Sequence, residues 1–264
     1  MYTEADKKAY WSRANQNKEI ARRHTEEMNH EYHDEIASSV RKSTIYRYEP
    51  VAPSAAGTAR DAIRVVPKDT VSAIFDCGSD MGSVAALNFA SYKNPGGRFF
   101  DGSMAQEEAL CHASFLYNVL REFDGVYYAE NRKRLNNALY RNAAIYSEDV
   151  RFFLGRQTKT CDIITCACPN RTAAQKYARV SDAENLAALR ARCEFVLSVA
   201  KNHDVDTLIL GAFGCGVFGQ DAREVAEAFS EALGKYQFKN VIFAIPNTGA
   251  GSRNYAAFAE MFGV

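Results

Sequence analysis

The sequence lacks most of what would mark a specialised class. It has no excess charge of either sign: 32 Lys plus Arg balance 32 Asp plus Glu over 264 residues. That excludes a global basic field of the kind that draws proteins to DNA or RNA, and no sequence-specific nucleic-acid binding is expected. It has no apolar run long enough to cross a bilayer, and its first residues, MYTEADKKAYWSR, lack the apolar stretch of a secretory signal. No membrane partner is expected. It has no disulfide framework either: the seven cysteines are odd in number and mostly sit in apolar stretches, as in a reduced, cytoplasmic protein. No internal repeat of fixed period is present. What remains is 47% hydrophobic and 24% charged, the values of a soluble globular chain with a sizeable core.

Residues 1–48 differ in texture from the rest, with 17 charged residues and neither Gly nor Pro. Ile20, His24, Met28, Tyr32, Ile36 and Val40 recur every four residues, the stripe of an amphipathic helix that docks on a larger body. His24 within it reads as a packed or edge histidine rather than a ligand. Residues 49–60 concentrate Pro, Gly and small residues and read as a connection. The expected division is therefore a helical extension over 1–59 and a main domain over 60–264. In the main domain, strand-like runs at Ile63–Val66, Val84–Ala90, Ala144–Phe153, Cys161–Ala167, Thr207–Leu210 and Val241–Ile245 alternate with helical stretches. The helices are expected from Ser103 to about Leu120, within 128–142, from Ser181 to about Asn202, and over Ala222–Leu233 and Tyr255–Phe262. Ser181 and Glu184 form a capping box. This alternation predicts an α/β fold with a mainly parallel or mixed sheet covered on both faces.

One device occurs twice: a strand, a glycine loop, then a helix. Leu87–Ala90 leads through Asn94-Pro95-Gly96-Gly97-Arg98 to Gln106-Glu107-Glu108. Leu208–Leu210 leads through Gly211-Ala212-Phe213-Gly214-Cys215-Gly216-Val217-Phe218-Gly219 to Ala222. Each helix is expected to open on a cap, Ser103 with Gln106 and Asp221 with Glu224. Glycines let backbone N–H groups approach an anion, a helix N-terminus adds favourable partial charge, and ligands of open α/β sheets bind beyond the carboxyl ends of the strands. The two loops are thus placed to converge on one phosphorylated ligand, or else each is an ordinary tight connection. Neither is a Walker A loop, and neither carries the dinucleotide-binding fingerprint.

Glu107 and Glu108 adjoin the first loop, and Ala109, Leu110 and Cys111 make the next turn apolar. The helix dipole alone favours acidic residues there, which is the structural reading. A carboxyl caught between a ligand and an apolar wall instead has its pKa raised and can act as a general acid.

The run Asn88-Phe89-Ala90-Ser91, then Pro95-Gly96-Gly97-Arg98, then seven residues to Gln106-Glu107-Glu108, resembles the signature of bacterial-type poly(ADP-ribose) glycohydrolases. That signature is three glycines, six to eight residues, then Gln-Glu-Glu. The second loop, Ile245-Pro246-Asn247 and Tyr146-Ser147-Glu148-Asp149-Val150 are also similar to the family, and the resemblance covers roughly residues 60–264. It implies a macrodomain fold, a mixed sheet between helices, that hydrolyses the ribose–ribose bond of poly(ADP-ribose) and releases ADP-ribose with no metal or cofactor. It implies that Glu108 is the catalytic acid, that Glu107 holds the ribose hydroxyls, and that Gln106 braces the pair. Asn88 and Ala90 would meet the terminal ribose, with Gly96, Gly97 and Arg98 lining the catalytic loop. Gly214, Cys215, Gly216 and Val217 would cradle the diphosphate, and Phe218 would pack near the distal ribose.

The family's third glycine is Arg98 here. A position needing positive φ would make arginine costly or obstructive, whereas a guanidinium free to bind phosphate would shift substrate preference. Two alternatives therefore stand beside the glycohydrolase: a binding-only ADP-ribose reader, and a hydrolase of mono-ADP-ribosylated targets. Cys161, Cys166 and Cys168 lack C-x-x-C spacing and read as core thiols. Cys111 and His112 are sequence neighbours on a helix and point apart, and Cys215 has no identifiable base.

Overall fold

The computed structural model describes residues 4–47, 56–249 and 251–263, with side chains from Arg13 onward. Most of the expected connection over 49–60, and the Trp11 side chain, lie outside the described residues. Seven strands form one sheet: β1 (Thr44–Arg47), β2 (Ile63–Val66), β3 (Val84–Phe89), β4 (Ala143–Leu154), β5 (Gln157–Cys166), β6 (Thr207–Leu210) and β7 (Asn240–Ala244). Their spatial order is β1-β4-β5-β3-β6-β7-β2. From β5 to β2 the neighbours run parallel, while β4 is antiparallel to β5 and β1 to β4. The sheet is mixed, as expected, and β5, β3, β6 and β7 end along one common edge.

The helices are α1 (Glu4–Glu31), α2 (His33–Lys42), α3 (Thr70–Asp76), α4 (Gln106–His112), α5 (Leu116–Leu120), α6 (Ala129–Lys133), α7 (Arg171–Ala178), α8 (Asp182–Asn202), α9 (Ala222–Leu233) and α10 (Gly251–Phe262). Alternation along the strands distributes them over two faces. Leu87, Leu208, Leu210 and Phe243 point to one face, where Val196 of α8, Phe229 of α9 and Phe258 of α10 cover them. Ala86, Ile163, Ile209 and Ile242 point to the other, under Ile74 of α3, Leu110 of α4 and Leu116 of α5. Met28 of α1 and Ile36 of α2 join that second layer.

The expected boundaries hold for β2, β6 and α9, and the Ser181 capping box forms as read. Other expectations need correction. The N-terminal stripe docks only in part: Met28 and Ile36 are buried and Tyr32 and Val40 pack beside them, but Ile20 is exposed, and Ala14, Ala21 and Thr25 are buried positions outside the stripe. A four-residue spacing advances about 40° per step on an α-helix, so it drifts off any one face, and the helix breaks at Tyr32 to restart. His24 sits at an ordinary packing site, its Nε2–H donating to the Ser114 carbonyl at 2.8 Å.

The helix expected from Ser103 to Leu120 is two helices. The chain turns at Ala113 so that the Ala113 carbonyl accepts from Phe153 N–H of β4 at 2.7 Å. Nor does Ser103 cap it: α4 begins at Gln106, so the cap position is Ala105, whose methyl group offers no acceptor. The 128–142 stretch stops being α-helical at Lys133, and Asn136, Asn137 and Ala138 carry positive φ.

The Tyr146–Val150 motif sits away from the strand ends. It holds the N-terminal helices instead: Ser39 Oγ donates to the Glu148 carbonyl at 2.6 Å and Lys42 pairs with Asp149 at 2.6 Å.

Candidate active site

β3 ends at Phe89, and the loop that follows arches over the first turn of α4. Gly96 and Gly97 take φ of +65° and +61°, conformations that glycine adopts without strain. A Cβ on Gly97 would lie 2.7 Å from both Glu107 Oε2 and Glu108 Oε1, so the missing side chain is the space the carboxyl pair occupies. Glu107 Oε2 accepts from Ser91 N–H at 2.7 Å, and its Oε1 lies 3.4 Å from Asn88 Nδ2. Glu108 Oε1 accepts from Arg98 N–H at 2.8 Å. Both glutamates are buried, at 4% and 5% exposure.

Two polar atoms here have no protein partner: Glu108 Oε2 and Asn88 Oδ1 are buried and unsatisfied. Such atoms are costly unless a ligand or water meets them, and their clustering marks the site. Burial pushes the Glu107 carboxyl up to about 8, with the neighbouring Glu108 charge adding to the shift. The sequence reading attached a raised pKa to the acid in general terms; the residue that carries it is Glu107.

Gln106 braces the pair through the strand. Its Oε1 accepts from Phe89 N–H at 2.8 Å, and its Nε2 donates to the Leu87 carbonyl at 2.8 Å and to Thr70 Oγ1 at 3.1 Å. Ala90 is buried and its N–H donates within the chain, at 3.1 Å to the Cys166 carbonyl, so it shapes the floor rather than offering a donor. Ser91 stands in the motif run but was given no role from sequence, and Thr70 was not singled out. Ser91 acts through its main chain, which no side-chain pattern reports, and Thr70 opens a helix that the reading left unassigned.

Arg98 has φ −111°, so the third motif position demands no left-handed backbone. Its side chain runs outward and pairs with Asp101.

The second loop starts where β6 ends, beside β3. A Cβ on Gly211 would lie 2.9 Å from Phe89 Cζ, and the Phe89 and Phe213 rings are 5.6 Å apart, so the two loops converge. Among the described residues the N–H groups of Gly214, Gly216, Val217 and Phe218 meet no protein acceptor. That of Cys215 is spent on the Ala212 carbonyl. The expected help from the following helix needs correction: Asp221 already accepts from Arg223 and Glu224 N–H, so the loop amides, and not the α9 terminus, are the free donors. Glu224 does not return the cap, because its carboxylate pairs with Arg171. Val217 is 85% exposed and offers its main chain alone. The Phe218 ring meets Tyr140 edge-on, and Tyr140 stacks on Tyr92 at 4.3 Å.

A glutamate pair thus lies under one glycine loop, with four open amides on the next. The family model "Microbial-type PARG, catalytic domain" matches residues 14–155, more than half of the chain. The chain belongs to this family. Poly(ADP-ribose) glycohydrolase (PARG) from Thermomonospora curvata is 30% identical, with a TM-score of 0.79 over 94% of this chain and 99% of that one. The same protein bound to the inhibitor ADP-HPD gives a TM-score of 0.79 over 93% and 99%, also at 30% identity. PARG from Deinococcus radiodurans in complex with ADP-ribose is 32% identical, with a TM-score of 0.74 over 86% and 97%. Comparison with curated protein sequences finds no match. The fold is therefore macrodomain-like, as in the structures of PARG.

The remaining candidates have no nucleophile's setting: Cys215 belongs to the second loop and Cys168 packs beneath Gly214 of that loop. Cys161, Cys166 and Cys168 are buried free thiols, raised by desolvation. Burial likewise raises the Cys215 thiol to about 12 and lowers His112 to about 4. Among the described residues no His, Cys, Asp or Glu group is arranged to hold a metal, and no helix is long and apolar enough to cross a membrane.

Proposed function

We propose that this PARG chain hydrolyses poly(ADP-ribose) with Glu108 as the acid that cleaves the ribose–ribose O-glycosidic bond and releases ADP-ribose. The observation that carries the assignment is the asymmetry of the pair. Glu107 has both oxygens near protein donors, whereas Glu108 has one oxygen held by Arg98 N–H and the other buried without a partner. Glu107 stays neutral to about pH 8 and so adds no second charge beside Glu108 at neutral pH. Glu108 Oε2 is the atom free to pass a proton outward.

In this reading Asn88 Oδ1 and Glu107 receive the hydroxyls of the terminal ribose. The free amides of Gly214, Gly216, Val217 and Phe218 hold the diphosphate, whose charge stabilises the positive anomeric carbon as its bond to the departing oxygen breaks. Glu108 gives its proton to that oxygen. Its carboxylate then takes a proton from the water that attacks the anomeric carbon, and the acid is restored. One carboxyl acts twice because neighbours on a helix cannot flank a sugar from opposite sides, as the usual carboxylate pair does.

The binding-only alternative drew on Arg98, whose backbone is unstrained and whose side chain lies outside the pair. Incubation with labelled poly(ADP-ribose) tests the reading. Release of ADP-ribose, lost in Glu108→Gln with binding retained, supports it. Unchanged turnover by Glu108→Gln refutes the assignment, and a single ADP-ribose removed completely from a modified protein favours the mono-ADP-ribosyl hydrolase.

A further inference from the structure

Arg98 is the departure from the three-glycine motif, and its setting gives the side chain a use. On one side of it Gly97 makes room for the carboxyl pair. On the other, Phe99 is buried with its ring 4.5 Å from His112 and 5.4 Å from Tyr117. Residue 98 turns its N–H inward to Glu108 Oε1 at 2.8 Å, which sends its side chain out on the solvent side of that glutamate. The side chain is 71% exposed. Its Nε donates to Asp101 Oδ2 at 3.1 Å, and among the described residues neither Nη1 nor Nη2 has an acceptor.

We propose that the Arg98 guanidinium binds a phosphate of the departing ADP-ribose unit, and so selects polymer over targets whose departing group carries no phosphate. The inference rests on the reading of Glu108 as the acid. An acid that protonates the departing oxygen adjoins the departing group, and Arg98 is the cation whose main chain holds that acid. In poly(ADP-ribose) the departing oxygen belongs to an adenosine ribose whose own diphosphate is attached a few bonds away. When a single ADP-ribose leaves a protein side chain, the departing group has no phosphate to offer. A guanidinium presents paired N–H groups that match two phosphate oxygens. Asp101 fixes the Nε edge and leaves the Nη edge for that contact. A glycine at this position would support Glu108 equally well through its N–H but add nothing to the departing side.

The test compares kcat/KM on poly(ADP-ribose) with kcat/KM on an ADP-ribosyl ether whose departing group is a neutral alcohol. The wild type, Arg98→Lys, Arg98→Ala and Arg98→Glu are measured at low and high salt. The polymer-to-ether ratio is expected to fall about tenfold in Arg98→Ala, the equivalent of one charge-assisted hydrogen bond. It falls further in Arg98→Glu and recovers in part in Arg98→Lys, and only the cationic forms lose preference as salt rises. An equal ratio in wild type and Arg98→Ala at low salt overturns the proposal while leaving the acid assignment intact. Failure of the wild type to hydrolyse polymer at all refutes the underlying reaction, and the proposal with it.

Discussion

Glu107 and Glu108 meet across the place where Gly97 has no side chain, each with one oxygen 2.7 Å from the point a Cβ would take. Neighbours on a helix diverge by about 100° around its axis, so the helix alone does not bring their carboxyls together. The loop does: Ser91 N–H draws one oxygen of Glu107 and Arg98 N–H one of Glu108. The geometry of the pair is thus a property of two main-chain donors and one glycine as much as of the acids.

Gly97→Ala is expected to remove most activity while the chain still folds. The added methyl meets both carboxyl oxygens at 2.7 Å, and a non-glycine residue at φ +61° costs about 1–2 kcal/mol. Hydrolysis of poly(ADP-ribose) should fall at least about 100-fold, the equivalent of roughly 2.7 kcal/mol in the barrier. Gly125→Ala, where the same methyl has no neighbour within 4 Å, is the control for the chemical change itself. Equal activity in the two variants contradicts the packing described for the pair.

Glu107 predicts a pH-dependent stability. Its carboxyl titrates from 4.5 in its unperturbed state to about 8 in the fold. Between those values the native state binds more proton than the unfolded one, so its contribution is full below about pH 4.5 and is lost as pH rises through 8. Glu107→Gln cannot ionise and escapes that loss. The Tm of the variant minus that of the wild type should therefore grow from pH 5 to pH 8 and level off above. A difference that stays flat over that range means the carboxyl is already ionised at acid pH. Wild-type hydrolysis should decline above about pH 8 as Glu107 ionises.

The chemistry of the site was more legible than its scaffold. Glu107, Glu108 and Gln106 stand in consecutive positions behind a glycine pair, and that order survives in one dimension because a single loop and helix turn make the contact. β6 and α9 were legible because Thr207–Leu210 is a β-favouring run buried on both faces, and because Asp221 caps the helix. The break after His112 was not, since its cause is the Phe153 N–H, some 40 residues further along the chain. The Ser103 cap failed because the helix starts two residues later than expected, with Ala105 at the cap and the Gln106 side chain bonded to the end of β3. The third glycine could not be judged from sequence, because the φ of residue 98 depends on where Glu108 places its carboxyl.

Arg192 predicts a link between the core and the site. It is 1% exposed, and its partners are acceptors on another part of the chain: Asn142 Oδ1 at 2.8 Å, the Ala167 carbonyl, and the Leu139 carbonyl at 3.4 Å. Arg192→Met fills similar volume but leaves these acceptors without their donor. Each buried unsatisfied group costs about 1–3 kcal/mol, so unfolding by denaturant should show a loss of about 3 kcal/mol or more. Tyr140 lies between the anchored residues and stacks on Tyr92, next to the Ser91 N–H that holds Glu107. The surviving folded fraction should therefore also bind ADP-ribose more weakly, which calorimetry would show. A loss of stability under about 1 kcal/mol would mean that water replaces the guanidinium freely.

Gln106 separates two demands that its neighbours conceal. Its Oε1 accepts from Phe89 N–H, and its Nε2 donates to the Leu87 carbonyl and to Thr70 Oγ1. Gln106→Ala abandons all three contacts and should cost about 1–3 kcal/mol for the groups left unpaired. Gln106→Glu keeps an acceptor for Phe89 N–H but turns a charged oxygen toward the Leu87 carbonyl, where a donor is required. Protonation supplies that donor, so Gln106→Glu should gain both stability and activity as pH falls toward 5, a direction opposite to ordinary acid denaturation. Gln106→Ala should show no such recovery, having no proton to gain. Denaturation and hydrolysis followed across pH 5–8 distinguish them: parallel profiles for the two variants would show that Gln106 serves only to fill space behind the acids. Divergent profiles assign it the task of holding the end of β3 to the first turn of α4 through a directed donor, which is what keeps the glutamate pair beneath its loop.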